Sequence, residues 1–90
     1  MVVAKILQDI NIGTNLKRIR KSRNMTQNDV CAKLTLMGRP MCQSNYAKIE
    51  TGAGNIFISD LVALKRIYKV SFDEFFEGLE PLDKSSEYID

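Results

Sequence analysis

Gln43, Ser44 and Lys48 are the residues of this 90-residue chain whose types and spacing best suit a specific chemistry. They stand in the stretch CQSNYAKIETG that begins at Cys42, where they share one polar helix face while Tyr46, Ile49 and Glu50 share the opposite one. A glutamine amide offers a donor and an acceptor in one plane, which matches the adenine edge in a DNA major groove. A serine hydroxyl adds an adaptable contact, and Lys48 can reach guanine or a phosphate. The plainer reading is a polar helix face in water.

Other chemistries have less to stand on. The chain has no histidine and two cysteines, Cys31 and Cys42, so no zinc-type ligand set forms and no metal or other cofactor is expected. Asp73, Glu74 and Glu77 sit together, but acids in the first turns of a helix favour its dipole and are ordinarily structural. With no phosphate-cradling glycine loop and no nucleophile and base pair, an enzyme is not expected, nor is a small-molecule ligand. No apolar run approaches the roughly 20 residues that cross a bilayer, and nothing at the N-terminus resembles a complete secretory signal. A cytoplasmic protein with two reduced thiols and no membrane partner is the expectation.

The net charge of +2 conceals an asymmetry. Residues 1–79 carry twelve Lys and Arg against seven Asp and Glu, a balance of +5, and residues 80–90 carry one against four, a balance of −3. A basic body precedes an acidic tail, a polarity that suits a polyanionic partner.

Five helical segments position the polar triplet. Ile12, Leu16 and Ile19 follow helical spacing with Asn11 as a cap, and the remaining surface carries Lys17, Arg18, Lys21 and Arg23, a face for phosphates or simply for solvent. Thr26 opens a second helix with Asp29 as reciprocal capping partner and Met25 and Val30 as staple. Gly38 and Pro40 break the chain into a loop, and a third helix begins at Cys42 or Gln43 and stops at Gly52. A fourth helix carries Leu61, Val62, Leu64, Ile67 and Tyr68. Ser71 and Glu74, flanked by Val70 and Phe75, predict a fifth that runs to about Gly78.

This order of elements resembles the Cro/repressor-type helix-turn-helix family of bacterial and phage regulators, over roughly residues 10–79. The resemblance rests on residues 16–20, on Thr26-Gln27 through Leu34, on Tyr46-Ala47-Lys48-Ile49-Glu50-Thr51-Gly52, and on Val70-Ser71-Phe72-Asp73-Glu74-Phe75-Phe76. It implies an all-α, five-helix, lambda-repressor-like DNA-binding domain over 10–79, an N-terminal arm or helical extension over 1–9, and an acidic flexible tail over 80–90. The connection between Leu34 and the third helix is about five residues longer than the short family turn, which points to an extended-turn variant.

The resemblance also implies roles. Gln27 holds a phosphate and braces Gln43, the leading base reader beside Ser44; Lys48 reaches guanine or a neighbouring phosphate. Thr26, Arg39, Asn45 and Thr51 are further DNA-contact candidates, with Arg39 on the extended turn, and the turn after Thr51 lacks the basic residue often found in relatives. Arg20 and Glu50 form a structural ion pair that orients the reading helix. Phe72, Phe75, Phe76 and Leu79 are candidates for a homodimer contact. The expected activity is sequence-specific recognition of a pseudo-palindromic double-stranded DNA operator by a transcriptional regulator, a repressor. The alternative is a protein-interaction module or antitoxin-like partner that works through the surface of residues 72–79 and binds DNA only weakly and nonspecifically.

Overall fold

A computed structural model describes residue 8 and residues 10–80, so most of the expected arm over 1–9 and tail over 80–90 lies outside the described residues. The described part has five α-helices, α1 (Gly13–Ser22), α2 (Gln27–Leu36), α3 (Gln43–Glu50), α4 (Ile58–Tyr68) and α5 (Phe72–Phe75), and no strand. Helix α1 packs on α3 and α5, and α2 packs on α3 and α4. Leu16, Ile19, Val30, Leu34, Tyr46, Ile49, Ile56, Leu64, Tyr68 and Phe75 fill the space between them and are almost wholly out of water. Each helix therefore contributes its apolar stripe to one core, the condition under which such short helices persist.

Helix α2 starts with the reciprocal bonds its sequence encodes. The Asp29 amide donates to Thr26 Oγ1 at 3.0 Å, and the Thr26 amide donates to Asp29 Oδ2 at 2.8 Å. Val30 is fully buried and Met25 packs against the core beside it. Helix α3 starts at Gln43 with Cys42 in the capping position but without a side-chain capping bond. It stops at Gly52, whose φ of +83° is a conformation that glycine adopts without steric cost.

Two expected boundaries are corrected. Asn11 is not the cap of α1: Ile12 is, and the Asn11 side chain accepts instead from the Gly13 amide at 2.7 Å. Helix α5 ends at Phe75, not near Gly78, and the Ser71 side chain makes no capping bond. The reason lies in α1, where the buried Asn15 amide donates to the carbonyls of Phe75 at 2.9 Å and Glu77 at 3.0 Å. A side chain thus satisfies one carbonyl at the end of the four-residue helix and one just past it, so helical continuation is not needed to pair them.

That change redistributes the aromatic cluster. Phe75 is fully buried in the core and unavailable as a dimer contact, and Leu79 is half-buried against the same core. Phe72 and Phe76 remain 39% and 48% exposed.

Candidate nucleic-acid interface

Helix α3 is held from beneath by a buried ion pair. Arg20 Nε donates to Glu50 Oε2 at 2.7 Å and Arg20 Nη2 donates to Glu50 Oε1 at 3.1 Å, a two-point pairing with both side chains at least nine-tenths out of solvent. Arg20 Nη1 donates to the Met25 carbonyl at 2.9 Å, so the same guanidinium also fixes the bend that leads into α2. Burial alone pushes the Glu50 carboxyl upward, but hydrogen bonds from Arg20, Tyr46 and Gln27 outweigh it and hold it below the ordinary carboxylate range. The bond to Glu50 correspondingly raises the Arg20 guanidinium.

From this pair a polar relay runs to the surface. Gln27 Nε2 donates to Glu50 Oε1 at 3.0 Å, and Gln43 Nε2 donates to Gln27 Oε1. The Gln43 amide nitrogen is thereby anchored, with the side chain itself exposed at the first turn of α3. Ser44, Asn45, Lys48 and Thr51 are exposed along the same segment. Thr51 Oγ1 turns back to the Lys48 carbonyl at 3.0 Å, and Thr26 is committed to its capping box. The opposite face of α3 is pinned by Tyr46, whose hydroxyl bonds that of Tyr68 in the core, where burial pushes both phenols far up.

Arg39 is placed differently from an open cation. Its Nε donates to Asp60 Oδ1 at 2.7 Å and its guanidinium lies 5.7 Å over the Phe57 ring. The long connection between α2 and α3 is thus tied to the start of α4, and it walls a groove of about 490 Å³ with Cys42, Asn45 and Lys48 on one side and Gly54, Asn55 and Phe57 on the other. Cys42 is exposed at the mouth of that groove, and its hydrogen bond with Ser44 lowers its thiol, whereas burial raises that of Cys31.

The uncharged turn after α3 is held by a residue that sequence reading did not single out. Gln8 Nε2 donates to the carbonyls of Ile49, at 3.1 Å, and of Gly54, while Gln8 Oε1 accepts from the Ile12 amide at 3.2 Å. One amide therefore ties the capping residue of α1 to the end of α3. Arg23, expected on a free cationic face, donates to the Tyr68 carbonyl at 2.8 Å and closes the end of α4. Neither the Gln8 clamp on Ile49 nor the Arg23 bond to Tyr68 has a periodic signature, because each joins positions more than 40 residues apart.

Helix α2, the extended connection and an α3 whose exposed face begins with Gln43 make up a helix-turn-helix unit. The restriction-modification controller protein C.Esp1396I, solved as a single-residue mutant, has a similar structure: TM-score 0.60 and 27% identity over 74% of this chain and 78% of that one. The fold is that of the Cro/repressor-type helix-turn-helix family. No protein-family model and no curated protein matches the sequence. Among the described residues of this helix-turn-helix domain, no helix is long and apolar enough to cross a membrane.

The depressed Glu50 carboxyl makes the domain acid-sensitive in a definite direction. A carboxyl lower in the native than in the unfolded chain contributes its full stability above the unfolded value, about 4.3, and loses it as the pH falls through the native value. Asp29, lowered chiefly by the Thr26 backbone bond, acts with the same sign. Denaturant midpoints should therefore be flat between about pH 5 and 7 and fall on acidification below about pH 4.3. The decline should be shallower in Asp29→Asn; an identical acid limb would remove Asp29 from this account.

Proposed function

We propose that this protein is a sequence-specific, double-stranded DNA-binding transcriptional regulator that inserts α3 into the major groove. The observation that carries the reading is the relay Arg20, Glu50, Gln27, Gln43, which fixes an exposed amide on a rigid helix. An amide held in this way has its orientation settled before DNA arrives, so little side-chain entropy remains to be lost on binding. Ser44 and Lys48 read beside it, Thr26, Gln27, Asn45 and Thr51 approach the backbone, and Arg39 borders the groove through which a phosphate strand passes. The likeness to a restriction-modification controller protein supports a regulatory role.

In this reading the protein is a cytoplasmic homodimer on a pseudo-palindromic operator and acts as a repressor. The exposed Phe72 and Phe76 supply apolar surface for the symmetric contact. Two copies of α3 then meet half-sites about 10 base pairs apart. Selection from a random duplex pool tests this directly: a shared motif with dyad symmetry is expected, and recovery of no motif overturns it. On the selected site, Gln43→Ala should weaken binding by about 1 to 3 kcal/mol at moderate salt, read by fluorescence anisotropy, while leaving nonspecific affinity unchanged.

A further inference from the structure

Leu36 is the most exposed large apolar side chain among the described residues, at 87%, and Met37 beside it is 41% exposed. Both lie at the end of α2, away from Gln27 and Gln43, and with Ile67 of α4 they line a shallow cleft of about 280 Å³. The rest of its lining is Lys33, Arg66 and Lys69, three cations and no acid. A lone exposed leucine needs no explanation, but apolar side chains set among charges of one sign select an occupant of complementary pattern.

The chain carries such a segment. Residues 80–90 have a balance of −3, from Glu80, Asp83, Glu87 and Asp90 against Lys84, and they include Leu82, Tyr88 and Ile89. Helix α1 measures the distance to be covered. Asn15 holds the Glu77 carbonyl at one end and Arg23 holds the Tyr68 carbonyl, next to the cleft, at the other, with about 12 Å of helix between them. Adding the two side chains puts Glu77 within about 30 Å of the cleft; Leu79 is still packed on the core, and the ten residues that follow Glu80 extend up to about 33 Å.

We propose that the acidic C-terminal segment docks in cis on this cleft, its apolar residues over Leu36, Met37 and Ile67 and its carboxylates among Lys33, Arg66 and Lys69. Docking covers the exposed apolar surface and neutralises one flank of the basic body while leaving α3 open. The contact is part electrostatic at the surface and weakens as salt shortens the screening length.

The test is nuclear Overhauser spectroscopy on the full-length isotope-labelled chain without DNA, so it is independent of the proposed function. Contacts are expected between the methyls of Leu36 or Met37 and Tyr88 or Ile89 at about 50 mM salt, falling at least about twofold at 500 mM. Leu36→Ser, a change at a position in water, should abolish them with the fold intact, and Ile89→Ser should shift the Leu36 and Met37 resonances. Absence of these contacts, or their survival in Leu36→Ser, overturns the proposal. So does their appearance only between labelled and unlabelled copies, which makes the occupant a second chain.

Discussion

Glu50→Ala is expected to lower the unfolding free energy by about 3 to 5 kcal/mol, the largest effect of any single polar substitution in this domain. The residue makes no direct DNA contact in the proposed reading. Its removal leaves the Arg20 guanidinium buried without its carboxylate and deprives Gln27 Nε2 of its acceptor. An isolated buried charge is far more costly than the pair is favourable, because the desolvation penalty stays after the Coulombic compensation has gone. Domains of this size have about 5 to 15 kcal/mol of stability in total, so the variant should be substantially unfolded at moderate temperature. Urea unfolding measures the loss; a change below about 1 kcal/mol would show that water replaces the carboxylate and that the pair is not an anchor. The double variant Arg20→Met with Glu50→Leu should recover much of the stability by removing both charges. It should not recover tight operator binding, since Gln27 and Gln43 would still lack their anchor.

Gly13→Ala is expected to cost at least about 3 kcal/mol, at or beyond the upper end of ordinary overpacking. A methyl at this position would stand 2.1 Å from the Glu50 carbonyl oxygen and 2.5 Å from that of Ile49. Those atoms are main chain at the end of α3, so no rotamer change can make room. Helix α1 must either move off α3 or push it outward, and both disturb the Arg20 and Glu50 geometry immediately behind the contact. Thermal unfolding should show the loss, and amide shifts of α3 should change along its length rather than only near residue 13. An unchanged melting temperature would mean that the two helices are not in backbone contact in solution.

Legibility in the sequence varied by the range of the interaction. The cap of α2 was readable because Thr26 and Asp29 are three residues apart and satisfy each other whatever the rest of the chain does. The stop at Gly52 was readable for the same reason: a positive φ is a local demand with a local answer. At α5 the matching local signals misled, since Ser71 makes no capping bond and the helix ends after four residues. What decided that end was Asn15, some 60 positions earlier, whose amide competes for the carbonyls on which a longer helix would rely.

The candidate site divides in the same way. Gln43, Ser44 and Lys48 stand out as types at helical spacing, so the exposed face of α3 could be read along the chain. The Arg20, Glu50 and Gln27 roles came only with the family resemblance, and the geometry behind them is tertiary. The commitment of Arg39 to Asp60, of Arg23 to the end of α4 and of Gln8 to two carbonyls across the fold had no sequence signal.

By itself the sequence determined the all-helical plan, the start of α2, the stop of α3 and the polar residues that α3 presents. These follow from apolar periodicity and from hydrogen bonds closed within one turn, both of which are properties of neighbouring residues. Only the tertiary structure decided which polar side chains turn inward as braces, where α5 ends, and that Phe75 belongs to the core. The physical reason is that a long polar side chain takes the nearest unsatisfied partner in space, and which partner is nearest is set by how the helices pack.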